Sequence, residues 1–135
     1  MPKKYKKITI AQLKQFHYKI IQDYGQEYLP LPKYKEEHLK SIIENIDQYV
    51  YGQELYPTIC DKAIYILMRI EQSQAFPDGN KRVALRAFKF FLYINGSSFN
   101  QQISQKIQIK FMLSIATNKL EKEEAVKCCI KAIKN

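Results

Sequence analysis

The sequence predicts an all-α fold: one compact domain, residues 1–135, with about six helices around a central buried helix. Apolar residues recur at the helical spacing of three and four positions through most of the chain. Only four glycines and five prolines are present, so the connections between helices should be short. Hydrophobic residues make up 46% and charged residues 26%, which is typical of a globular domain.

The first helix should begin after Thr9, because Thr9 and Gln12 have the spacing of a capping box. Gly25 should end this helix, since glycine commonly follows a helix C-terminus. Residues 26–32 contain two prolines and should form an exposed loop, in which Tyr28-Leu29 is predicted as a short strand. The apolar face of the helix consists of Ile10, Leu13, Phe16, Ile20 and Ile21.

Two more helices are predicted before the middle of the chain. The second covers about residues 34–49, and residues 51–57 then form a connection. The third begins after Thr58, whose hydroxyl can cap it while Asp61 reaches back, and it ends near Gln72. The apolar positions of these two helices are Leu39, Ile42, Ile43, Ile46, Ala63, Ile64, Ile66, Leu67 and Ile70.

The fourth helix, about residues 80–94, has enough apolar positions to be the central buried helix. Asn95-Gly96 should close it, and residues 97–102 should form a turn with one extended pair. A fifth helix is predicted after Ser104 and a sixth over residues 121–134. The apolar positions of the fourth helix are Val83, Ala84, Ala87, Phe88, Phe91 and Leu92.

Charge and cysteine content restrict the class of protein. The net charge of +9 fits either an anionic partner or a lysine-rich composition that serves solubility, and the even spread of the lysines favours the second. Cys60, Cys128 and Cys129 are odd in number and lack C-x-x-C spacing, which argues against a disulfide framework or a zinc site. No apolar run could span a membrane, and no apolar signal segment follows the basic residues 1–7. We therefore expect a cytoplasmic protein with a disordered N-terminal tail.

Residues 74–82, Gln-Ala-Phe-Pro-Asp-Gly-Asn-Lys-Arg, form the most informative segment of the chain. Asp78-Gly79 favours a tight turn into the fourth helix, where free main-chain N–H groups can bind an anion. Lys81 and Arg82 add two cations, and arginine can bind phosphate through two hydrogen bonds. A carboxylate beside such a site becomes useful when Mg²⁺ bridges it to phosphate, so Asp78 is the predicted metal ligand. A solvated turn with a helix cap is the alternative that this segment alone leaves open.

The segment resembles the signature of the Fic/Doc family, H-x-F-x-[DN]-G-N-[KG]-R, and its Asn-Lys-Arg ending is similar to the Doc (death-on-curing) branch. Phe91-Leu92, Asn95-Gly96, Gly25 and Leu31-Pro32 also resemble that branch, so the resemblance extends over residues 8–133. It implies an all-helical bacterial toxin of a toxin–antitoxin system, with a cognate antitoxin as its partner. It further implies transfer of a phosphoryl group from ATP to a hydroxyl of a translation elongation factor, with ATP and Mg²⁺ as cofactors.

The resemblance also implies a role for each motif residue. Asp78 would hold Mg²⁺, Gly79 and Asn80 would form the main-chain anion site, and Lys81 and Arg82 would hold the nucleotide phosphates. Residues 26–32 lie where the family docks the target segment.

Gln74 stands where the family has the histidine that accepts the proton of the target hydroxyl. Glutamine cannot accept a proton near neutral pH, and general base catalysis typically contributes about 10²–10⁴-fold. We therefore expect Mg²⁺–ATP to bind and transfer to be weak or absent. An introduced inactivating substitution, a natural degenerate member and a base elsewhere in the fold all fit the sequence. His17 and His38 lie on other predicted helices, and we interpret His17 as a structural or surface residue.

Other functions stay open. A Fic-type AMP-transferase would use the same motif, although Lys81 in place of glycine favours phosphoryl transfer. A degenerate, non-enzymatic binding module would keep the fold without the chemistry. Direct nucleic-acid binding is not expected, because no predicted helix combines a Lys/Arg stripe with base-reading side chains.

Overall fold

The computed structural model describes residues 5–99, 114 and 122–134. Its helices are α1 (Ile10–Asp23), α2 (Lys33–Glu44), α3 (Ile59–Ser73), α4 (Asn80–Ile94) and α5 (Lys122–Ala132), with a 3₁₀ turn at Asn45–Asp47. Its strands are two residues long: β1 (Tyr49–Val50) pairs antiparallel with β2 (Gln53–Glu54), and β3 (Ser98–Phe99) with β4 (Ile133–Lys134). Helices therefore build the domain, and the predicted all-α fold is confirmed.

Helices α3 and α4 pack against each other at the centre of the core. Helix α3 also contacts α2 and α5, and α1 packs on α4. The sequence predicts α4 as the central helix, but α3 buries more of its side chains because it contacts three other helices. The buried apolar side chains of the pair are Cys60, Ala63, Ile64, Tyr65, Ile66, Leu67, Ile70, Val83, Ala84, Ala87, Phe88, Phe91 and Leu92.

Both predicted capping boxes are present. The Thr9 hydroxyl accepts from the N–H of Gln12 at 3.2 Å, and the Gln12 side chain accepts from the N–H of Thr9 at 2.9 Å. Thr58 and Asp61 make the equivalent pair of bonds at 3.0 and 3.1 Å. These bonds satisfy N–H groups that have no intrahelical partner, and so they fix the first residues of α1 and α3.

Two predictions for the segment between α1 and α3 are wrong, and the structure adds detail to a third. Residues 26–32 contain no strand, so Tyr28-Leu29 lies in an irregular loop. Helix α2 ends at Glu44 and not near residue 49, because the buried Lys62 ammonium binds the carbonyl of Ile46 at 3.2 Å and holds the chain in a 3₁₀ turn. The connection over residues 51–57 contains a hairpin whose two turn residues, Tyr51 and Gly52, both have positive φ angles (52° and 78°).

The chain ends differ from the prediction in smaller ways. Residues 98–99 form the predicted extended pair, and α5 ends at Ala132 because residues 133–134 pair with them. The predicted helix after Ser104 lies outside the described residues, apart from Ser114, which is helical. Residues 5–7 pack on the domain and are not a disordered tail: the main-chain N–H of Lys6 donates to the Asn95 side chain at 2.8 Å. Within the described ranges, no helix combines the length and apolar character that crossing a bilayer requires.

Lys62 is a fully buried charge that connects four parts of the chain. Its ammonium donates to the carbonyls of Tyr56 (2.6 Å) and Ile46 (3.2 Å), and the carboxylates of Glu54 and Asp47 lie 3.7 and 3.8 Å away. A buried ammonium is tolerated only when it is hydrogen-bonded and paired, and these four groups meet that need. The side chain thus ties the hairpin and the 3₁₀ turn to α3.

The substitution Lys62→Met should therefore destabilise the fold. It keeps a long side chain but leaves two carbonyls without their donor, so we expect a loss of about 3 kcal/mol in the free energy of unfolding. Urea denaturation measures the loss. Lys40→Met, on the exposed face of α2, is the control and should change stability by less than about 0.5 kcal/mol. Equal stability of the two variants would contradict the role of Lys62.

Candidate active site

The loop between α3 and α4 is anchored at both ends and in its middle. Gln74 caps α3 in the left-handed backbone region (φ 48°), the Phe76 side chain is buried in the core, and Gly79 starts α4 at φ 82°. A side chain at position 79 would be strained by this φ angle, although its Cβ would make only an ordinary contact with Ile20 at 3.5 Å. The loop therefore needs glycine where the sequence has it.

The Asn80 side chain holds the loop against the first turn of α4. Its Oδ1 accepts from the N–H of Phe76 at 3.0 Å, and its Nδ2 donates to the carbonyl of Phe76 at 2.8 Å. Nδ2 also lies 3.5 Å from the Oε1 of Gln74. The amide of Asn80 is thus occupied by the loop, which leaves the main-chain N–H of this residue for an anion.

The N-terminus of α4 offers three main-chain donors. No side chain caps this helix, and its first main-chain bond runs from the N–H of Val83 to the carbonyl of Gly79 at 2.9 Å. The N–H groups of residues 80–82 consequently point out of the helix end, where the helix dipole is positive. Lys81 and Arg82 are exposed beside them, and the Arg82 guanidinium lies 4.3 Å from the centre of the Tyr24 ring. The stacking fixes this cation next to the helix end.

A cavity of about 420 Å³ lies against these groups, and we call it the motif cavity. It contains all six residues that the sequence identifies as the site, and its volume falls in the range of small-molecule sites. Sequence reasoning did not identify two of its residues, Glu71 and Pro77. The residues that line it are Glu71, Gln74, Pro77, Asp78, Gly79, Asn80, Lys81 and Arg82.

The donor set of the motif cavity fits Mg²⁺ that arrives with phosphate. Asp78 is exposed, and its Oδ1 accepts from the N–H of Gly79 at 2.8 Å, which leaves Oδ2 available. No three His, Cys, Asp or Glu side chains cluster anywhere in the described part of the chain, so no complete protein cage for a metal is seen there. Mg²⁺ commonly uses one or two carboxylates together with substrate phosphates and water, which suits Asp78.

Glu71 faces the motif cavity from the last turn of α3. It is only 8% exposed, although it carries a carboxylate. The Gln74 amide donates to the Glu71 carbonyl at 2.7 Å and lies 3.4 Å from the Glu71 Oε1. One sequence signal could have revealed this residue: Glu71 is four positions after Leu67, so the apolar face of α3 brings a carboxylate to the start of the motif.

His17, on α1, lies under the motif loop and outside the motif cavity. Its ring is 1% exposed and lies 4.5 Å from the Phe76 ring and 5.5 Å from the Tyr28 ring. Neither ring nitrogen forms a hydrogen bond within the described residues. Burial lowers the pKa of His17, and the nearby Asp78 opposes this only in part. The histidine is therefore a neutral core residue, as the structural interpretation of the sequence expects.

The lowered pKa of His17 makes stability depend on pH. In the unfolded chain His17 binds a proton near pH 6.5, whereas in the folded chain it does so only at a lower pH. Protonation below about pH 6.5 therefore favours the unfolded chain, and the free energy of unfolding decreases as the pH falls. We expect the melting temperature of the native chain, measured without Mg²⁺, to fall more between pH 7.5 and 5.5 than that of His17→Phe. His38→Phe, which removes the exposed histidine, should keep the native pH dependence; if it behaves like His17→Phe, the assignment is wrong.

Two comparisons with known proteins found similar sequences. The model of the Fic/DOC family matches residues 7–92. The Toxin Doc of Mycolicibacterium smegmatis is 47% identical over 47 residues, which is 35% of this chain and 36% of that protein. The matched stretch thus spans little more than a third of the relative. Because the family model covers more than half of the chain and includes the whole motif loop and most of α4, the chain belongs to the Fic/DOC family.

Proposed function

We propose that this protein is a Doc-like toxin of a toxin–antitoxin system that transfers the γ-phosphoryl group of ATP to a hydroxyl of a translation factor. The observation that carries the proposal is the motif cavity, where helix-end N–H groups, two cations and one exposed carboxylate meet. Each of these groups binds phosphate or a phosphate-bound cation. The similarity to Toxin Doc supports the toxin role and the existence of a cognate antitoxin.

The chain would bind the triphosphate through fixed donors. The N–H groups of residues 80–82 and the α4 dipole receive phosphate oxygens, and the Arg82 guanidinium can donate two parallel hydrogen bonds. Tyr24 holds this guanidinium before the ligand arrives, which reduces the side-chain entropy lost on binding. Bound at Asp78, Mg²⁺ would supply charge neutralisation for the phosphates. Phosphoryl transfer depends mainly on such positioning and electrostatics.

The target segment would approach from the side of residues 26–32. A second cavity of about 270 Å³ lies there, and Pro77 and Asp78 line both cavities. The other residues that line the second cavity are His17, Ile21, Gln26, Glu27 and Leu29. Residues 27–31 make no main-chain hydrogen bond to any other described residue. Their C=O groups, and their N–H groups except at Pro30, which has none, are therefore available to an extended peptide, which could add to them as a strand.

Phosphoryl transfer is favoured over AMP transfer by the side chain at position 81. Lys81 adds bulk and positive charge at the helix end, where an AMP-transferase of the family has glycine. The mass of the modified target separates the two reactions, because a phosphoryl group adds about 80 Da and an AMP group about 329 Da.

Binding of Mg²⁺–ATP should depend on Arg82 and Asp78. We expect Arg82→Gln to weaken binding about tenfold or more, because a charge-assisted bond to phosphate is lost. Asp78→Asn should abolish the gain in affinity that Mg²⁺ brings without weakening ATP binding in EDTA. Isothermal titration calorimetry measures both effects. Arg86→Gln, one turn further along α4 and outside the motif cavity, is the control; an equal loss in that variant would argue against a specific phosphate site.

The substitution Gln74→His should raise the transfer rate by up to about 10²–10⁴-fold, because it restores a side chain that can accept the hydroxyl proton. The assay is incorporation of label from γ-labelled ATP into a translation elongation factor. Gln72→His, exposed on the same helix and outside the motif cavity, should leave the rate unchanged. Equal incorporation by the native chain and Gln74→His would show that Gln74 is not the missing base. ATP binding without any transfer, even in Gln74→His, would favour a binding module.

A further inference from the structure

We propose that Glu71 is the catalytic proton acceptor of this chain and that it supports a residual transfer that Gln74 itself cannot support. The proposal rests on the proposed function and names a further catalytic residue of the same cavity. The first observation is the position of Glu71. Of the side chains that line the motif cavity, only Glu71 and Asp78 are carboxylates, and Asp78 is the residue that fits Mg²⁺.

The second observation is that Glu71 is buried without a cation. It is 8% exposed, yet the ion pairs found among the described residues do not include it. The Gln74 amide donates a long hydrogen bond of 3.4 Å to the Glu71 Oε1. The other carboxylate oxygen has no hydrogen-bond partner among the described residues and is not sealed from solvent, so it is open to the motif cavity. An open carboxylate oxygen in this position can receive a proton from a bound substrate.

The third observation is the arrangement of Gln74. Glu71 lies in the last turn of α3 and Gln74 caps that helix, and the Gln74 Nε2 lies 3.4 Å from the Glu71 Oε1. The Gln74 amide donates to the Glu71 carbonyl at 2.7 Å, and its Oε1 lies 3.5 Å from the Asn80 amide. Gln74 therefore connects the end of α3 to the motif loop, and the Glu71 carboxylate lies in the same cavity as the side chain at position 74.

The step balances without any further reactant. The target hydroxyl gives its proton to the Glu71 carboxylate, and its oxygen forms a bond to the γ-phosphorus. The bond from that phosphorus to the bridging oxygen breaks, and ADP leaves with the electron pair. Protein kinases likewise use a carboxylate to accept the substrate hydroxyl proton, which shows that a carboxylate is sufficient for this chemistry.

The test is the substitution Glu71→Gln, which keeps the shape of the side chain and removes its basicity. We expect transfer from γ-labelled ATP to an elongation factor to fall by at least about tenfold. The dissociation constant of Mg²⁺–ATP, measured by calorimetry, should stay unchanged or decrease, since a negative charge leaves the cavity. Glu37→Gln on the exposed face of α2 should change neither quantity. If Glu71→Gln folds poorly, Glu71→Asp keeps the carboxylate and should retain more transfer at equal stability.

The same substitution in the Gln74→His background separates a catalytic role from a structural one. Where histidine accepts the proton, Glu71→Gln should change the transfer rate by less than about twofold. Equal rates for the native chain and Glu71→Gln, or an equal loss in both backgrounds, would overturn the role of Glu71. Failure of the native chain to bind Mg²⁺–ATP, or of Gln74→His to transfer, would instead overturn the proposed function, and with it this inference.

Discussion

The two hydrogen bonds between the Asn80 amide and the main chain of Phe76 are the constraint on which the candidate site depends. They close the motif loop onto the helix that follows it, and the buried Phe76 ring fixes the closed loop to the core. The helix-end donors, the Asp78 carboxylate and the Arg82 cation then face one cavity. Without this closure the same residues would be separate polar groups on a solvated turn, which is the alternative that the sequence alone leaves open.

The core keeps the motif loop in this closed shape, because the loop joins α3 and α4, the two helices at the centre of the core. Helices α3 and α4 are the most buried elements described, so the ends of the loop cannot shift without disturbing their packing. Lys62 extends the same rigidity to the opposite end of α3, where it binds carbonyls of two connecting segments. The phosphoryl transfer proposed above would rely mainly on dipoles and charges that are positioned in this way.

The sequence predicts those parts of the fold that short-range signals determine. Capping residues indicate the starts of α1 and α3, and the six predicted site residues could be named together because they are nearly contiguous in the chain. Long-range contacts decided the features that were missed. Helix α2 stops early because Lys62, sixteen residues beyond Ile46, binds the carbonyl of Ile46. Tyr24 and Glu71 join the site from outside the motif, and only the folded chain brings them there.

The left-handed backbone of Gln74 restricts which side chains this position accepts. Residues branched at Cβ are strained at such a φ angle, whereas histidine is among the non-glycine residues that adopt it more often. Glutamine and histidine can therefore replace each other at position 74 during evolution without a change in the backbone of the loop. Under the proposed function, a weak and a fully active transferase would be one replacement apart on the same backbone.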